Sequence, residues 1–213
     1  MLGKVEVNVA VNPMSEFVRA FLAFEIEDEG VKKNLIDIQT CALETGADLK
    51  LVEPENIHMT LRFLGDVTLN MAEKVFVEMQ KVQFKPFQVV LASLGVFPSL
   101  NYPRVLWAGI TQGAEKLQNV VSQLEPNLQG LGFLPERNPF SPHLTIARVR
   151  SAMNKPQLAD FVTKNAKRDF GSFEVRCLKL KRSDLTPRGP IYYTLKEYCP
   201  SRNCEKEIPC HNK

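Results

Sequence analysis

The chain has 213 residues, 44% of them hydrophobic, and a formal net charge of +3. That length supports one large domain or two small lobes around a real core. So weak a charge excludes a general nucleic-acid coat while leaving room for a local basic patch, and no apolar run approaches the roughly 18 residues of a membrane helix.

In chain order, Val5, Val7, Val9 and Val11 alternate with polar or small residues, which suits a strand in an N-terminal extension of residues 1–15. These first residues lack the apolar core of a secretory signal, so a cytoplasmic location is expected. Val18–Ile26 reads as a strand. Asp28–Thr45 reads as a helix with Val31, Leu35, Ile38 and Ala42 on one side and Gly46 as its stop. Leu49–Val52 is a short strand, Pro54 turns the chain, and Ile57–Leu64 is a strand ended by Gly65-Asp66. Asn70–Val82 is a helix, Phe87–Val96 and Arg104–Ile110 are strands, and Glu115–Leu131 is a helix. Ser141–Val149 is a strand, Lys155–Asn165 a helix, and Phe173–Arg182 and Ile191–Tyr198 are the closing strands. Helices mix with adjacent strands without strict alternation, so the order predicts an α+β fold rather than a doubly wound parallel sheet. No Pro/Gly/Ser linker divides residues 16–198, and residues 199–213 read as a Cys-containing polar tail.

Five cysteines are present. Cys41 and Cys177 read as small buried residues. Cys199, Cys204 and Cys210 cluster beside His211 in the tail, but the CxxC spacing of common zinc modules is missing. No metal site and, in a cytosolic chain, no disulfide framework is expected.

One pattern occurs twice: Ile57-His58-Met59-Thr60-Leu61 and Pro142-His143-Leu144-Thr145-Ile146. The chain has only three histidines, and two of them share this context. Strand side chains alternate, so His58 and Thr60 point one way while Met59, Leu61 and Phe63 point to the core. His143 and Thr145 are related in the same manner, with Leu144 and Ile146 on the apolar side. In-line displacement at phosphorus needs a base on the attacking side and an acid on the leaving side. Imidazole, with an ordinary pKa near ~6.5, serves either role. Threonine hydroxyls donate to non-bridging oxygens, and Arg148 adds a planar cationic fork. On a flat strand Arg148 would fall on the wrong face, so a bend at Ala147 or a side chain curling back is required. Lys179, Lys181, Arg182 and Arg188 suggest a basic rim, against the plainer reading of a solvated strand face. Trp107 and Phe140 read as core aromatics.

The paired His-x-Thr-hydrophobic motifs resemble the 2H phosphoesterase superfamily, and within it the RNA 2′,3′-cyclic phosphodiesterases historically called 2′–5′ RNA ligases (LigT/ThpR type). Arg19–Phe24, Glu55–Gly65, Gly95–Pro98, Arg104–Gly109, Pro142–Arg148 and Leu185–Tyr192 carry the resemblance. It implies a bilobal fold of two pseudo-symmetric lobes, each with an antiparallel sheet and flanking helices around a central cleft. It also implies hydrolysis of RNA 2′,3′-cyclic phosphate ends to 2′-phosphomonoesters, with His58 as proton donor and His143 as acceptor. Thr60, Thr145 and Arg148 become phosphate-binding residues. No metal or cofactor is implied. The partner is RNA with a cyclic phosphate end, tRNA fragments among them, and the enzyme is expected to be a monomer. Reverse 2′–5′ joining is a side activity on this reading. The alternatives are another 2H activity, on ADP-ribose cyclic phosphate or in RNA 3′-end trimming, and a non-catalytic nucleotide- or RNA-binding module.

Overall fold

The computed structural model describes residues 17–187 and 189–200. The strand read at residues 5–11, Arg188, and the tail residues Cys204, Cys210 and His211 lie outside that range. The elements, in order, are β1 (Phe17–Glu25), α1 (Glu29–Leu43), β2 (Leu49–Leu51), β3 (His58–Thr68), α2 (Leu69–Met79), β4 (Phe87–Phe97) and β5 (Val105–Gln112). They continue with α3 (Ala114–Gly130), β6 (His143–Val149), α4 (Lys155–Lys164), β7 (Gly171–Val175), β8 (Leu178–Thr186) and β9 (Gly189–Tyr198).

Two antiparallel sheets result: one ordered β3-β1-β8-β9, the other β2-β6-β5-β4-β7. The first is covered on one face by α2, which packs on β1, β3, β8 and β9; α1, α3 and α4 pack on strands of the second. The fold is therefore the α+β arrangement read from the sequence, with each sheet leaving its other face toward a central cleft. In β1, Val18, Ala20, Leu22 and Phe24 alternate into the core, while Phe17, Arg19, Phe21, Ala23 and Glu25 take the cleft face. Helix starts follow their caps. The Asp28 carboxylate accepts from the Val31 N–H at 2.8 Å, and the Thr68 hydroxyl from the Met71 N–H at 3.1 Å.

Three sequence expectations change. Residues 173–182 were expected as one strand, but they split: β7 pairs with β4 in the second sheet, and β8 pairs with β1 and β9 in the first. The chain crosses between lobes at Arg176-Cys177, where a periodic apolar pattern cannot report which sheet a residue joins. Gly65 does not end β3. It sits at φ +73° and pairs with Ala20 after an extra residue, so the strand runs through a bulge to Thr68. The cysteine expectation fails as well. Cys177 and Cys199 form a disulfide with Cα atoms 4.3 Å apart, because Leu178 pairs with Tyr198 and the next residues outward meet. Cys41 is exposed rather than buried.

Candidate active site

The two motif strands are built alike. At β6 the register passes from Leu106↔Ala147 to Trp107↔Thr145, leaving Ile146 as an extra residue. At β3 it passes from Leu22↔Arg62 to Ala23↔Thr60, leaving Leu61 extra. A bulge puts two successive residues on the same side. Leu61 and Arg62 therefore both face inward, as do Ile146 and Ala147, and all four are buried. The next residues, Phe63 and Arg148, return to the side of the histidines. This is the bend that Arg148 required. It also corrects Phe63, which was expected in the core and is 59% exposed on the cleft face.

Each imidazole is held in the same way. His58 Nδ1 lies 2.7 Å from the Asn56 carbonyl oxygen, and His143 Nδ1 lies 2.7 Å from the Ser141 carbonyl oxygen. A carbonyl only accepts, so both Nδ1 atoms carry hydrogen, and the neutral rings keep their lone pair on Nε2. The Thr60 hydroxyl lies 2.9 Å from His58 Nε2 and donates to it in that state. Aromatic rings fix both orientations. Phe21 and Tyr192 stand 4.9 and 5.1 Å from the His58 ring, and Phe97 stands 5.0 Å from His143. Burial pushes the His58 pKa from 6.5 down to about 4. The Asn56 carbonyl opposes that shift, Lys181 adds to it, Glu25 opposes it, and His143 across the cleft adds to it. His143 is thus near enough for the two rings to feel each other's charge.

The sequence profile described as LigT like Phosphoesterase matches residues 26–107 and 109–192. The chain belongs to the LigT-like phosphoesterase family. An Aeropyrum pernix protein named RNA 2′,3′-cyclic phosphodiesterase is 40% identical over 153 residues, 72% of this chain and 87% of its own length. One of the same name from Methanothermobacter thermautotrophicus is 39% identical over 178 residues, 82% of this chain and 95% of its own. In fold, the chain is similar to Escherichia coli LigT complexed with 3′-AMP, with TM-score 0.71 and 23% identity, covering 86% of this chain and 98% of that one.

In this LigT-like phosphoesterase, His58, Thr60, His143, Thr145 and Arg148 share the cleft. Tyr192 links them: its ring meets His58 edge-on, and burial raises its phenol pKa against the opposing charges of Arg148 and Arg19. Tyr192 was not singled out from the sequence. Its pairing with Ser183 on β8 brings it to the cleft, and register is not written in its own segment. Trp107, read as core, belongs to the cleft face beside Thr145, with its ring 6.5 Å from His143. The indole lies over Gly95 and Gly109, where an added Cβ would come within 2.3 Å of neighbouring atoms. Only glycine permits that approach.

The proposed basic rim behaves differently. Lys179 and Lys181 both ion-pair with Glu25, and Arg182 Nε pairs with Asp184 at 2.6 Å. Burial works to raise the Glu25 pKa, but hydrogen bonds and charge from the two lysines outweigh it and hold the carboxyl below its usual range. Among the described residues, one group has metal-ligand character: Cys177, Glu197 and Cys199. Its two sulfurs are joined to each other. A surface hollow of about 430 Å³ between Phe84, Phe87 and Lys116 contains no motif residue.

Proposed function

We propose that this LigT-like phosphoesterase opens RNA 2′,3′-cyclic phosphate ends by acid–base catalysis between His58 and His143. The observation that carries the reading is the matched pair of imidazoles, each donating Nδ1–H to the carbonyl two residues before it, which leaves Nε2 as the reactive nitrogen of both rings. Water attacks phosphorus opposite O3′ and gives its proton to His143 Nε2. The P–O3′ bond breaks, and His58 Nε2–H protonates the departing O3′. A 2′-phosphomonoester and a free 3′-hydroxyl remain, and proton exchange with solvent resets both rings. Thr60 and Thr145 donate to non-bridging oxygens, and Arg148 holds the growing negative charge. Free His58 is neutral at pH 7, so the anionic substrate supplies the field that keeps its proton in place.

Neither motif carries a carboxylate or a third ligand, so the reaction is metal-independent on this reading. Both motifs lie on one chain, which fits a monomer; a cytoplasmic location and tRNA-derived ends complete the proposal. Among the described residues, no helix is long and apolar enough to cross a membrane. The deciding experiment is end-group analysis of an RNA bearing a 2′,3′-cyclic phosphate, with EDTA present. The expected product is the 2′-phosphate, lost by about 10² or more in His58→Ala and His143→Ala. A 3′-phosphate product, loss of activity to EDTA, or near-wild-type rates in either variant overturns the reading. Faster turnover of ADP-ribose 1″,2″-cyclic phosphate than of the RNA end would move the substrate assignment.

A further inference from the structure

The cations around the cleft divide into two groups. Lys179, Lys181 and Arg182 are engaged by carboxylates. Arg148, Lys50 and Arg19 have no carboxylate within ion-pair distance among the described residues, and all three are exposed. They converge from both sheets. Lys50 on β2 pairs directly with Arg148 on β6. Directly paired residues project to the same face, so Lys50 stands beside Arg148 on the cleft side. Its neighbours Leu49 and Leu51 pack against the core, which fixes that orientation. The Lys50 ammonium also reaches the β8–β9 turn of the other sheet, where Nζ lies 3.4 Å from the position a Cβ would take on Gly189. Arg19 approaches from β1, close enough to Tyr192 to act on the same phenol as Arg148.

Arg148 has the terminal phosphate to hold. Lys50 and Arg19 are additional charge beside Arg148 and Tyr192; Asp66, opposite Arg19 on β3, makes no ion pair with it among the described residues. We infer that Lys50 and Arg19 form a subsite for the phosphodiester preceding the cyclic end, making the enzyme selective for RNA termini over cyclic mononucleotides. The inference rests on the function proposed above and adds to it the length of substrate that is read. A cyclic mononucleotide has one phosphate and engages the histidine site alone. A dinucleotide with a cyclic end adds one internal phosphate, the smallest substrate that reaches the subsite. Each charge-assisted contact strengthens binding at the transition state, and a contact to a single-stranded backbone also adds about 0.7 to the slope of log affinity against log salt.

The test compares kcat/KM on 2′,3′-cyclic AMP and on a dinucleotide ending in a 2′,3′-cyclic phosphate. Wild type is expected to prefer the dinucleotide about 10-fold or more. Lys50→Gln removes most of that preference and flattens the salt dependence on the dinucleotide, while the mononucleotide rate stays within about twofold. Lys50→Arg, which keeps the charge, keeps the preference; Arg19→Gln weakens it. Equal loss on both substrates, no loss in Lys50→Gln, or a wild type indifferent to the second nucleotide overturns the subsite while leaving cyclic-end hydrolysis intact. Failure of wild type to open either substrate removes the functional reading itself, and the subsite with it.

Discussion

His58 offers the sharpest handle on the chemistry, because its proton and the bound phosphate must favour each other. With burial holding its pKa at about 4, only about one free molecule in 10³ carries the charged imidazole at pH 7. An anion seated between the histidines favours the charged ring. If the bound anion only restores the ordinary value of 6.5, the coupling is about 3 kcal/mol. By reciprocity, the anion then binds about 50-fold more tightly at pH 4.5 than at pH 7. Sulfate suits the experiment, since its charge does not change across that range. Its dissociation constant is measured by calorimetry at several pH values, in wild type and in His58→Gln, which keeps a polar side chain but does not titrate. The His58 ring proton is followed by NMR, with a midpoint near 4 expected in the free enzyme. Equal pH dependence in the two proteins, or a free His58 titrating near 6.5, refutes the reasoning.

Folding stability should follow the same proton. The native pKa of His58 is depressed from 6.5 to about 4, so the unfolded chain binds the extra proton between those values; stability is full above 6.5 and falls through that window as pH drops, by up to about 3 kcal/mol, read from urea melts. Arg148→Ala should lower kcat by about 10² with only a modest change in folding, and Arg148→Lys should recover part of it, the lysine keeping charge but not the fork. Arg62 is 6% exposed, with Nε 2.9 Å from Glu125 and a further ion pair to Glu136, so Arg62→Ala should cost about 3 kcal/mol, or roughly 6–12 °C of Tm. Glu125→Gln combined with Glu136→Gln should make the same substitution cheaper, as a double-mutant cycle would show. Opening the Cys177–Cys199 disulfide, whose partners are 22 residues apart, should remove up to about 3 kcal/mol, seen as a lower Tm for Cys177→Ser with kcat unchanged.

The twin motifs were legible because strand alternation is local. His58 with Thr60, and His143 with Thr145, share a side whatever the sheet around them. Most element positions were legible from local periodicity, although the Thr68 cap starts α2 one residue before the Asn70 read from the sequence. What depends on pairing was not. The register of β5 against β6 sets Trp107 beside Thr145, and that of β8 against β9 brings Tyr192 under His58. The inward turn of Glu25 toward Lys179 and Lys181 depends on residues more than 150 positions apart, and it converts an apparent basic rim into a neutralised cluster. Bulges were half legible. The need to carry Arg148 to the histidine side demanded a break near Ala147, but nothing in the residues of β3 demanded its counterpart at Leu61.

That counterpart explains how a symmetric scaffold supports unequal chemistry. The bulges make Phe63 and Arg148 equivalent positions, each the first residue back on the cleft face after its motif. An arginine at one and a phenylalanine at the other leaves the uncompensated charge on the His143 side. On the His58 side, Lys181 is balanced by Glu25, and the imidazole is buried against Phe21 and Tyr192. On the proposed mechanism, a phosphate drawn toward Arg148 is anchored from the second lobe. On that mechanism it presents its opposite side to a ring that, at pH 7, gains its proton from that anion's field. Such a ring is suited to giving the proton up when the P–O3′ bond breaks, because product departure returns it to the environment that favours the neutral form. The proposed division of labour between His58 and His143 thus rests on the residues at positions 63 and 148 and on the burial of one ring.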